Sequence, residues 1–269
     1  MSRPSDPSIR AASQLRATLQ QSSAAVRSAL ADRSAFWLQA GGMVVNNGFW
    51  LLMWFLFFSH FRQVGGWGIT DVARLIGVVY LLFGLATVFL GGYRDLAGAI
   101  LRGDIDALLT QPGPILPRML ARESHPSAWG DIAVGVVVLA ASAQLTLAGA
   151  GLAVAAVLAG VVVWISTAVI FSCLAFWISG ARSLSRDLMD FTLMVSTWPS
   201  SIYSGWTRVL VFTLLPAGFI AITPAQLVRA PSLGSAGLCL AAVVVFPLAA
   251  VTVFAAGLRR YQRLGGQAG

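Results

Sequence analysis

The chain has 269 residues, of which 57% are hydrophobic and 10% charged, and its mean hydropathy is +0.79. Soluble domains carry about 25% charged residues, so this composition cannot cover a water-facing surface and excludes a soluble single-domain enzyme. All 18 basic residues are arginine. Without lysine there is no Walker A phosphate loop and no Schiff-base chemistry, so ATP used in this way would be bound by another chain.

Residues 1–34 are polar and hold no short apolar region before a small-residue cleavage site, so no signal peptide is expected there. Ile9, Leu15, Leu19, Val26 and Leu30 fall near one helical face, with Arg16 and Arg27 elsewhere on the wheel. The spacing predicts an amphipathic helix over 7–33 on the cytoplasmic leaflet, its arginines meeting anionic headgroups. A disordered polar tail is the alternative.

Six windows then follow without a single charged residue or histidine: Ala35–Ser59, Leu75–Gly92, Ile132–Gly149, Leu152–Ile178, Val209–Val228 and Ala236–Leu258. About 20 helical residues cross a hydrocarbon core of about 30 Å, and the runs are continuous rather than alternating, which favours helices over a barrel. The expected fold is an all-α membrane protein of six transmembrane helices, with residues 1–34 as a cytoplasmic segment and 35–269 as the spanning domain. With both termini cytoplasmic, 15 arginines lie inside against Arg62, Arg74 and Arg229 outside, as the positive-inside rule requires. Arginines spread over many connectors give no nucleic-acid footprint.

The connector 93–131 carries apolar residues at helical spacing, Ala97, Ile100 and Leu101, then Ile105, Leu108 and Leu109. Asp104 suits the start of the second short helix, and Pro112-Gly113-Pro114 ends it. Residues 183–207 fit an interfacial cytoplasmic helix, with a re-entrant segment as the alternative. Pro216, Pro224 and Pro247 predict kinks, and the fifth span is expected to be irregular near Thr223-Pro224.

Polar groups inside the windows are few. Gln39, Asn46 and Asn47 share one face of the first helix, with Trp50 and Trp54 further along it. These amides and rings either contact a large amphipathic ligand or bond across a helix interface. Gln144, Ser166, Thr167 and Ser172 are scattered, and Ala153, Ala156 and Gly160 form a small-residue packing stripe. Trp67, Trp129, Trp177, Trp198 and Trp206 fall near span boundaries, as an aromatic belt requires. Cys173 and Cys239 lie in apolar runs and are expected to be inert thiols; His60 and His125 have no second ligand nearby for a metal. Proton- or sodium-coupled carriers commonly keep ionisable residues inside their spans, and here only rim residues Asp71 and Asp131 are available. Asp131 at a helix start is expected to act as a cap.

The segment Gly91–Pro112, GGYRDLAGAILRGDIDALLTQP, resembles the stretch after the second span in ABC type-2 exporter permeases. The resemblance continues at Ser196–Val228, STWPSSIYSGWTRVLVFTLLPAGFIAITPAQLV, and at Gly257–Gly266, GLRRYQRLGG. Thr110 and Gln111 stand where members often carry a basic residue. The resemblance implies a non-enzymatic permease subunit in a prokaryotic plasma membrane, paired with a second permease chain, identical or related. ATP and magnesium would be held by separate ATP-binding cassette subunits on the cytoplasmic face. Gly103, Asp104, Asp106, Leu108, Leu109 and Pro112 would then form the coupling helix, and Gln39, Asn46, Asn47, Trp50 and Trp54 would border the substrate path. A helix merely resting on the leaflet is the plainer reading of the same connector. The expected cargo is a hydrophobic or amphipathic small molecule; lipid or glycolipid export, or a non-transporting membrane scaffold, are the alternatives.

Overall fold

The computed structural model describes residues 7–111, 113–142 and 146–265, with side chains described for these except 7–13, 15, 264 and 265. In chain order the helices are α1 (Pro7–Ala29), α2 (Arg33–His60), α3 (Ile69–Leu90), α4 (Leu96–Leu101), α5 (Asp104–Leu109) and α6 (Ile115–Leu120). They continue as α7 (Ala128–Ser142), α8 (Leu147–Ser172), α9 (Ala181–Ser196), α10 (Gly205–Thr213), α11 (Thr223–Arg229) and α12 (Leu233–Gly265). Four segments are long and apolar enough to cross a membrane: α2, α3 with its extension, α8 with its extension, and α12; α10 and α11 make a fifth if that bent pair is one span.

Local chemistry explains the starts. Asp32 caps α2, its Oδ1 accepting from the Ala35 amide at 3.0 Å, and Thr146 caps α8 by accepting from the Gly149 amide at 3.1 Å. The third apolar window is therefore not one helix, because α7 ends at Ser142 and α8 begins at Leu147. At 15 residues α7 rises about 22 Å. It packs antiparallel to α3 through glycines: a Cβ on Gly84 would meet the Ala128 carbonyl at 3.0 Å, and one on Gly130 would run into the Ala40 carbonyl of α2.

α3 and α8 form the centre, with Leu75, Val78, Leu82 and Trp164 fully or almost fully buried. The expected stripe on α8 is a packing face, since Ala153, Ala156 and Gly160 are all buried and Gly160 sits beneath Leu82 and the Ile220 carbonyl. By contrast, α2 and α12 turn long apolar faces outward, including Leu38, Phe49 and Phe55 on α2 and Leu240, Val245 and Leu248 on α12. Such faces belong against lipid or another apolar chain. Cys173 and Cys239 are free, buried thiols.

The segment after α8 departs most from expectation. One end of α9 lies beside α4, where Arg182 and Arg186 bond to Asp95. Its other end leads to Trp198, which packs edge-on against Trp54 at 5.2 Å, and Ser201, which bonds to the Val64 carbonyl in the α2–α3 loop. With 16 residues and a rise of about 24 Å, α9 thus runs between the two ends of the bundle instead of lying along one of them.

Nor is the Val209–Val228 window a straight span. α10 and the following helix are bent by 78°. The sharp break falls at Leu214–Ala217, around Pro216, and a π-helical stretch over Gly218–Ile222 makes the backbone irregular up to Thr223-Pro224, as expected, before α11 begins. α11 returns to the α2–α3 loop, where Arg229 bonds to Asp71 at 2.8 Å and covers the Trp67 ring at 4.8 Å. Arg208, on α10, therefore sits at the end that carries Arg62, Arg74 and Arg229. Pro247 lies inside α12, which continues through it.

α1 is helical over Pro7–Ala29 and docks through polar atoms: Ser22 Oγ donates to the Phe89 carbonyl at 2.7 Å and Gln21 Nε2 to the Arg118 carbonyl at 3.1 Å. Leu19 and Leu30 are exposed; the side chains of Ile9 and Leu15 lie outside those described.

Candidate functional site: a groove between α2 and α9

α2 and α9 stand apart, joined at one end by the Trp54–Trp198 contact, and α3 forms the floor between them. The resulting groove holds two cavities that share Phe83, Asp190 and Leu193. The one nearer α4 has about 410 Å³ and is bordered by Tyr93, Arg94, Glu123, His125 and Arg186. The mid-depth one has about 270 Å³ and is bordered by Asn46, Asn47, Trp50, Trp54, Tyr80 and Asp131.

Four of the five residues expected on the path meet at the mid-depth cavity; Gln39 is exposed and does not border it. Their roles differ. Asn47 is buried and donates from Nδ2 to Asp131 Oδ1 at 2.7 Å, bonding α2 to α7. Asn46 and Trp50 are exposed on the groove, whereas Trp54 is buried against Trp198. Gln144 lies outside the described residues.

Asp131 lies in the first turn of α7, the helix-start position expected of it, but its side chain bonds across to α2 rather than to the α7 backbone. It is 2% exposed, its recorded hydrogen bond goes to Asn47, and Oδ2 has no partner among the described residues. Because α7 begins level with Gly84 and Ala40, its first turn lies deep between the ends of the bundle rather than at the rim. Asp190 was not singled out from sequence, although the helical recurrence of Leu184, Leu188 and Thr192 along 181–196 marks the helix that carries it. Tyr80 and Phe83, on an otherwise apolar run, gave no such signal.

At the α4 end of the groove an ionic cluster holds the elements together. Asp95 receives Arg182 through Nε at 2.8 Å and Nη2 at 3.0 Å, Arg186 at 3.0 Å and Arg102 at 2.9 Å. Arg102 also reaches Asp104 at 3.0 Å, and Asp104 receives Arg122 at 2.9 Å. Burial works to raise the Asp95 carboxyl, but the Arg182 and Arg102 hydrogen bonds outweigh it and hold the group below the usual carboxylate range. Asp104 is also held low, first by its bond to Arg122. Burial, then the neighbouring Arg94 charge, pushes His125 below the usual imidazole range.

The residues expected on a coupling helix form α5 and its cap. Gly103 precedes it at φ +79°, a left-handed conformation that glycine adopts without a Cβ clash. Ile105 is fully buried, Leu108 half-buried, and Asp106 and Leu109 exposed. α5 is thus anchored by Ile105 and Asp104 and presents Asp106 and Leu109 outward. Pro112 lies outside the described residues.

This is a multi-pass helical membrane protein with a groove between its helices. A family model described as ABC-2 family transporter protein matches residues 44–265, and the chain belongs to that family. It is a membrane permease of an ABC transporter, and the family implies association with ATP-binding cassette subunits. No curated protein and no solved structure matches the chain.

Proposed function

We infer that the chain is the permease subunit of an ATP-driven exporter whose cargo moves along the α2–α9 groove. The observation that carries this reading is the groove itself. It runs from an ionic mouth at Asp95 to a mid-depth chamber of amides and aromatic rings, a surface suited to a hydrophobic or amphipathic small molecule. In this reading six elements cross the bilayer: α2, α3, α7, α8, α9 and α12, with α10–α11 a re-entrant hairpin. The α4–α6 end and both termini are cytoplasmic. Placing Arg208 outside changes the arginine division from 15 and 3 to 14 and 4, which still satisfies the positive-inside rule. A second permease chain, identical or related, closes the groove in a prokaryotic plasma membrane.

α5 serves as the coupling helix. ATP and magnesium sit in the cytoplasmic cassette subunits, and their closure pushes α5 through Asp106 and Leu109. The Arg102 bridge between Asp104 and Asp95 passes the displacement to Arg182 and Arg186 on α9, one wall of the groove. This contiguous chain of ion pairs is the physical connection between α5 and α9 on which the transmission relies.

The test is purification in mild detergent with the genomically neighbouring ATPase co-expressed, followed by ATP hydrolysis and transport in proteoliposomes. A stoichiometric complex whose ATP hydrolysis drives transport supports the reading. A chain that purifies alone and moves nothing overturns it in favour of a scaffold, and transport that follows the proton gradient at constant ATP overturns it in favour of a carrier.

A further inference from the structure

We propose that the mid-depth chamber of the groove is a binding site for an organic cation, an ammonium or similar positive group on an aromatic or aliphatic body. This rests on the groove being the transport path and goes further by fixing the sign of the cargo's charge.

Two carboxylates border the chamber, Asp131 from α7 and Asp190 from α9, and among the described residues no basic side chain borders it. Asp131 is 2% exposed, bonded through Oδ1 to Asn47, and its Oδ2 is left without a partner. Asp190 makes no ion pair among the described residues, although Arg186 lies one turn away. That arginine is engaged by Asp95. Arg94 stands over the Phe83 ring at 6.0 Å, in the cavity nearer α4. Unpaired carboxylates midway across a membrane protein are costly unless a counter-charge arrives. Trp50 and Tyr80 border the same chamber, aromatic rings of the kind whose faces attract cations and whose bodies hold an apolar chain. An anion would meet two like charges in the same chamber, whereas a cation is attracted by both carboxylates.

The test is equilibrium binding to the full chain in lipid nanodiscs, using benzyltrimethylammonium, its uncharged carbon analogue neopentylbenzene, and benzenesulfonate. Saturable binding of the ammonium alone is expected, weakened about tenfold or more by D190N and by D131N, tenfold corresponding to about 1.4 kcal/mol. D190N changes an exposed side chain and keeps the fold, so its result stands even where D131N lowers yield. Equal binding of the neutral analogue, or ammonium binding untouched by both variants, overturns the proposal. So does a D190N chain that loses its permease partner while the parent binds no ammonium, since the carboxylates then serve an interface. In proteoliposomes with the ATPase, transport of neutral or anionic amphiphiles but not the ammonium defeats the charge assignment and leaves the exporter standing. Absence of any ATP-driven transport defeats the exporter, and the binding result then decides the site alone.

Discussion

Asn47 on α2 and Asp131 on α7 are joined by a 2.7 Å hydrogen bond between side chains that are each 2% exposed. Removing the donor leaves a buried carboxyl with no partner on either oxygen, the case in which a lost bond is most expensive. Asn47→Leu should cost about 2–3 kcal/mol, the upper end for a buried group stripped of its partner. Asn47→Leu with Asp131→Leu should recover most of that loss. Thermal unfolding of the two single variants and the double variant in detergent measures the coupling directly; equal, additive losses would show that the pair contributes nothing.

Asp95 gathers three arginines from two separate segments of the chain. Asp95→Ala should lower stability by about 1–2 kcal/mol, a figure reduced because the arginines are about half exposed. It should cut ATP-driven transport more than it cuts ATP hydrolysis. The pH dependence has a definite sign. A carboxyl held below its unfolded value stabilises the protein fully above that value, near pH 4, and loses the contribution as pH falls through the folded pKa. Asp95→Asn should therefore flatten the acid limb of the stability profile, which melts between pH 3 and pH 6 will register.

Leu109 is 38% exposed at the end of α5, whereas Ile105 on the same helix is fully buried. Leu109→Asp should abolish coupling between hydrolysis and transport while leaving expression and melting temperature within experimental error. Ile105→Asp should prevent folding. Normal ATP-driven efflux by the Leu109 variant would remove α5 from the transmission path.

Arg208 offers a test of topology. A cysteine at 208 should react with a membrane-impermeant maleimide from the same side as one at 62, and opposite to one at 259. Both native thiols are buried, so background labelling should be low. Labelling of 208 from the side of 259 would return residues 183–207 to the cytoplasmic surface.

Much of the helical plan could be read from hydropathy because α2, α8 and α12 are long, uncharged through most of their length and predominantly apolar, and a window average sees that. α9 escaped for a physical reason. Arg182, Arg186, Asp187 and Asp190 break its apolar run, yet Arg182, Arg186 and Asp190 face a groove and an ionic cluster. The α7–α8 boundary was displaced because no charged residue interrupts the sequence there, and the marker of the new helix is a single capping threonine, Thr146. At the site, the amides and tryptophans of α2 were visible by spacing alone. Asp131 was visible but assigned to the rim, because sequence gives no depth. Its true level follows from Gly84 and Gly130, which let α7 begin inside the bundle.

Arg102 holds Asp95 with one terminal nitrogen and Asp104 with the other, at 2.9 and 3.0 Å. A planar guanidinium seated between two carboxylates behaves as a swivel. A small tilt of α5 lets it trade one lone pair for another, so turning is nearly free, while pulling the two carboxylates apart breaks bonds outright. Such a joint yields to turning but resists tension. In the coupling proposed above, the direction of a push on α5 is changed at this joint on its way to α9.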